Sequence, residues 1–101
     1  MIQIYKGSIY SFKLLSGEEF IAEVHEVGHT NYDISNPLGV ALTAQGPDTF
    51  PAMIAGNMKR VMQLNKSAIA IVAEVEEHIQ QSYRKAIEEM HNEPTKQVLT
   101  E

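Results

Sequence analysis

At 101 residues the chain has material for one domain with one modest core, and its formal net charge of −5, from 8 basic against 13 acidic residues, opposes broad electrostatic attachment to duplex nucleic acid or to anionic membranes. A locally positive mouth remains compatible with that total. There is no cysteine, which excludes disulfides and thiolate metal sites and is consistent with a reducing compartment.

Met1 to Lys6 alternates weakly, with Ile2 and Ile4 on one side, and stops at Gly7-Ser8; it reads either as an extra edge strand or as an ordered arm. The strongest local signal follows. Tyr10, Phe12 and Leu14 alternate with Ser11 and Lys13, and Phe20, Ala22 and Val24 alternate with Ile21, Glu23 and His25, the period of two that suits half-buried strands. Ser16-Gly17-Glu18 joins them as a hairpin turn, with Gly17 supplying the positive φ. A one-residue slip would expose Phe12, Leu14 and Phe20, so the register is unique. Ile21 and Val27, on the outer face, read either as scattered surface apolars or as a subunit contact.

Gly28-His29-Thr30-Asn31 makes the next turn, and a third strand starts at Tyr32. Asn36-Pro37 interrupts it at an edge or bulge, and Leu38, Val40 and Leu42 resume the alternation, giving the midway bend that a small barrel requires. Thr43 to Gly56, with Pro47 and Pro51, reads as a long irregular loop. Strand character returns at Lys59 to Leu64, turns at Asn65-Lys66-Ser67 and ends in Ala68 to Val75, the most β-prone run. There Ile69, Ile71, Ala73 and Val75 face one side and Ala70 and Val72 the other, so a strand covered on both faces is expected.

From Glu76 the period changes. Ile79, Tyr83, Ile87 and Met90 form one stripe of an amphipathic helix, with Arg84–Glu88 and Lys85–Glu89 pairs on its outer face and Glu76 and Glu77 in the first turn. Pro94 stops the helix near His91-Asn92, and residues 92–101 read as a mobile tail. The predicted architecture is a mainly β, five-stranded, strongly bent barrel over residues 9–75, with a C-terminal helix over 76–91, in a single domain.

No residue pattern indicates catalysis. His25 and His29 flank a turn, while His78 and His91 lie too far apart on the helix to share a cation, so no metal is expected. Glu74, Glu76 and Glu77 fit a solvated helix start, and Met53, Met58 and Met62 fit core or interface filling. A nucleophile elbow, a phosphate-binding loop and a dinucleotide fingerprint are all absent. Neither an enzyme nor a cofactor is expected. No apolar run reaches membrane-spanning length and the N-terminus lacks a basic region followed by an apolar one, so a cytoplasmic location is expected.

The stretch FKLLSGEEFIAEVHEVGHTNYDI resembles the first motif of the Sm and Sm-like proteins, with Leu14, Gly17, Phe20, Ala22 and Val24 at matching positions. MQLNKSAIAIV is similar to the second motif, with Asn65-Lys66-Ser67 at the turn in place of an Arg-Gly pair; a competing register uses IAGNMKRV, with Gly56-Asn57 as the turn. The pattern of a Ser-Gly-Glu-Glu hairpin, an Asn-Pro in the third strand and a Glu-rich C-terminal helix is similar to phage-borne Sm-like proteins from marine samples, whose setting is the cytoplasm of a bacterial host.

The resemblance implies a head-to-tail homo-oligomeric ring, in which Met62, Ile69, Ile71 and Val72 lie between subunits. It also implies binding of single-stranded RNA, uridine-rich tracts included, at the pore. His29 and Tyr32 are then the stacking candidates, Asn31 and Asn65 the hydrogen-bonding ones, and Lys66 the phosphate contact. The alternative, from another class, is a ring-forming adaptor that binds a protein and no nucleic acid.

Overall fold

β1 (Ile9–Leu14) and β2 (Glu19–Val27) pair antiparallel in the register that the alternation demands, with Phe12 opposite Phe20 and Tyr10 opposite Ala22. Gly17 takes φ 99°, and Leu14 N–H donates to Glu18 O at 2.8 Å to close the turn. The computed structural model describes residues 3–53 and 55–92. Of the N-terminal segment, residues 3–8 form an arm rather than a strand; Gly7 N–H donates to Val24 O and Tyr5 N–H to the Tyr10 hydroxyl.

β3 runs unbroken from Asn31 to Thr43, so Asn36-Pro37 bends the strand without interrupting it. Asn36 adopts φ 53°, a left-handed angle that asparagine tolerates better than most side chains. The bend lets β3 serve two partners on one side. Its first half pairs with β5 (Met62–Asn65) and its second half with β4 (Gly46–Pro51). A 3-10 turn at Lys66–Ala68 leads to β6 (Ile69–Glu74), which pairs with β1, and the chain continues into α1 (Glu77–Asn92).

The result is mainly β, with six antiparallel strands in an unclosed sheet and a C-terminal helix. Two expectations are corrected. The predicted loop over 43–56 contains β4, because Pro47 and Pro51 occupy positions of an edge strand where no donor to β3 is needed. The five-stranded closed barrel is instead an open sheet: β5 hydrogen-bonds to β3 and β6 to β1, and the 3-10 turn joins them without pairing them to each other.

β2 is buried on both faces. Tyr10, Phe12, Phe20, Ala22, Val24, Ile34 and Leu64 fill one cluster, while Ile9, Ile21, Leu38, Met58 and Tyr83 fill a second on the other side, capped by Ile79, Ile87 and Met90 of α1. Ile21, at 2% exposure, is therefore helix-covered core, and Val27 is exposed. Among the described residues the expected Arg84–Glu88 and Lys85–Glu89 pairs do not close; an exposed ion pair joins Lys6 to Glu26, and His78 Nδ1 lies 3.4 Å from Glu76 Oε1. The tail assigned to 92–101 lies outside the described residues from position 93 onward.

Opposite Phe50, Gly39 gives the ring somewhere to lie, since a Cβ there would collide with it. We expect Gly39→Ala to cost about 1–2 kcal/mol in chemical denaturation through that overpacking, and Phe50→Ala to remove most of the penalty in a double-mutant cycle.

Candidate nucleic-acid interface

Two turns that are far apart in sequence meet at one end of the sheet. The first, between β2 and β3, is closed by Gly28 N–H donating to Asn31 O at 2.8 Å. Gly28 leaves no room for a side chain, because a Cβ would stand 2.9 Å from that same carbonyl. The second turn is the end of β5 and its 3-10 continuation. Asn31 pairs directly across from Asn65, and Lys66 N–H donates to Thr30 O at 2.9 Å, so backbone bonds fix one turn against the other.

Side chains complete the cluster. Asn31 Nδ2 donates to Asp33 Oδ1 at 3.1 Å, and Thr30 Oγ1 donates to Asn31 Oδ1 at 3.4 Å, which orients the Asn31 amide. Lys66 Nζ stands 4.9 Å from the Tyr32 ring centroid, within cation–π range. Tyr32 itself packs on Phe12 with centroids 5.8 Å apart, so it belongs in large part to the first core cluster. His29 lies exposed on the first turn.

Asn31, Tyr32, Asn65 and Lys66 thus come together, with His29 on the same turn as Asn31. Tyr32 is committed to packing and to Lys66, which leaves His29 as the exposed ring. The competing turn at Gly56-Asn57 precedes β5: Asn57 caps a local turn through Lys59 N–H and Arg60 N–H. Sequence reasoning missed Thr30 and Asp33, whose parts depend on pairings that only the fold creates. The Gly28-x-x-Asn31 spacing was the available signal for the closed turn.

The interface candidates occupy two places. Met62, Ile69 and Val72 pack partly against the first cluster, whereas Ile71 is 55% exposed. A bulge explains the difference: Lys13 pairs with Ile71 but Leu14 with Ile69, so Ala70 is extra and the alternation flips. β6 is consequently not covered on two sides by its own chain, since Ala70, Ile71 and Ala73 face solvent.

The remaining histidines serve separate contacts. His25 Nε2 is 2.6 Å from Ser35 Oγ, His91 Nε2 is 3.0 Å from Asn36 Oδ1, and His78 sits beside Glu76. No helix among the described residues is long and apolar enough to cross a membrane. In comparisons with known proteins, no family model matches the chain and no curated protein matches it.

Proposed function

We propose that the chain is an Sm-like subunit that assembles head to tail into a ring and holds single-stranded RNA, uridine-rich tracts included, at the mouth made by its paired turns. The carrying observation is the junction of those turns, where Asn31 lies opposite Asn65 and Lys66 is tied to Thr30. One exposed ring, the oriented Asn31 amide with the Asn65 amide across from it, and one cation per subunit suit stacking, base-edge contacts and a phosphate, repeated once per copy around a pore. Each copy brings its Lys66 to the same mouth, so cations gather there locally even though every copy also carries a net charge of −5.

Assembly is supported by the two bare edges that flank the 3-10 turn. β5 borders an apolar groove of about 590 Å³ lined by Leu14, Phe20, Ile34, Val40, Met62 and Leu64. The β6 strand of a second copy, carrying Ile71, has the length and character to cover it.

Anisotropy of a labelled oligo-uridine tests the RNA reading. Lys66→Ala should weaken binding about tenfold and lower the salt slope by about 0.7 for each phosphate that is no longer neutralised. Absence of binding by the wild-type protein at micromolar concentration would remove RNA from the account. That outcome, with the oligomer intact, favours the adaptor reading, to which the net charge of −5 and the exposed Leu42, Phe50 and Met53 also point.

A further inference from the structure

Among the described residues, three strands have an unpaired side: β4, β5 and β6. They are built differently. In β4 the pairs Leu42–Pro47, Val40–Thr49 and Leu38–Pro51 share one parity, and since proline has no N–H, these are the non-hydrogen-bonded pairs with β3. The inward donor Ala52 N–H, reaching Pro37 O at 3.0 Å, confirms that parity. The outward-facing backbone nitrogens of β4 are therefore those of positions 47, 49 and 51. Two of these are prolines, and the third, Thr49 N–H, is taken by Asp48 Oδ1 at 2.8 Å.

Every donor that an incoming strand would need is missing or already occupied. β5 (MQLN) and β6 (IAIVAE) contain no proline and no basic residue, and their single charge is Glu74 at the very end. Natural sheets commonly blunt an exposed edge with proline and local charge, and leave unguarded the edge that they use. We infer that the outer edge of β4 is a guarded edge, closed to strand addition, which confines backbone association of this protein to β5 and β6. The guard operates in a monomer as in a ring, so it stands independently of the RNA reading.

The test restores the donors in the full chain with Pro47→Thr, Asp48→Ala and Pro51→Thr together. Sedimentation velocity should show species larger than those of wild type, with an average mass that rises about twofold or more over a tenfold concentration range, and thioflavin T fluorescence should rise with it. A folded triple variant whose distribution matches wild type would overturn the inference. Should circular dichroism show the triple variant unfolded, hydrogen exchange in the single Asp48→Ala variant decides. The Thr49 amide then exchanges about tenfold faster than in wild type, and an unchanged rate overturns the guard. A monomeric wild type would count against the ring but leave this comparison readable.

Discussion

Ile71→Asp is expected to convert the assembled protein into monomers without unfolding it. Light scattering of the wild type should report a multiple of 11.3 kDa, and the variant the subunit mass alone. The side chain is 55% exposed on a strand with a bare edge, so within one subunit the change is a surface substitution worth about 0.5 kcal/mol. Between subunits it is different. Covering the exposed half of Ile71 contributes about 1–1.5 kcal/mol, and burying a carboxylate without a partner adds a penalty of several kcal/mol, so association should weaken by at least about a hundredfold. Leu42→Asp is the matched control: that residue is 84% exposed on the β3–β4 arm, beside the guarded edge, and its replacement should leave the mass unchanged. A wild-type chain that runs as a clean monomer would end the assembly reading outright.

The parts of the fold legible in the sequence are those fixed by neighbours along the chain. Phe12 opposite Phe20 follows from two alternations and a turn. The α1 stripe through Tyr83 follows from helical spacing, although what it would cover did not, because the same alternation that marked Phe20 as inner marked Ile21 as outer. A strand buried on both faces shows only once a helix is laid across it. β4 escaped notice because proline usually argues against a strand; at Pro47 and Pro51 it is compatible because those positions point away from β3. The bulge at Ala70 was hidden for a related reason: one inserted residue reverses the facing of everything beyond it, and nothing in AIAIVAEV marks where it falls.

The candidate site divides the same way. The Gly28–Asn31 turn is a local pattern, and its glycine and asparagine announce it. That Asn65 and Lys66 meet it comes from β3 pairing with β5 across some thirty residues, which the family resemblance suggested and residue periodicity did not. Tyr32 illustrates the limit of motif transfer. Its position suits a stacking residue, while its ring lies with one side on Phe12 and holds Lys66 near it, which leaves His29 as the exposed ring of the turn.

The second large effect concerns Asn36, where β3, the segment before β5 and α1 are tied at one residue. Its N–H donates to Met58 O at 2.8 Å, its carbonyl accepts the Tyr83 hydroxyl at 2.7 Å, and its side chain meets His91. Asn36→Ala gives up the His91 hydrogen bond and holds alanine, which has no side-chain amide to ease a left-handed angle, at φ 53°; a loss of about 2–3 kcal/mol is expected in urea denaturation. Asn36→Gly keeps the angle and should lose only about 1 kcal/mol. Tyr83→Phe leaves the Asn36 carbonyl buried without its donor, at a cost of about 1–3 kcal/mol near neutral pH. Burial, reinforced by the negative charge of Glu23, raises the Tyr83 phenol above its ordinary value, so the folded protein holds this proton more tightly than the unfolded chain does. Its contribution is intact below about pH 10 and is lost as the pH climbs toward the folded value, by up to about 1.4 kcal/mol per pH unit. Stability measured between neutral pH and pH 11 should therefore fall less steeply in Tyr83→Phe than in wild type. Parallel alkaline profiles for the two would mean that the phenol ionises as freely in the fold as out of it, and that the hydroxyl does not anchor α1 to the bend of β3.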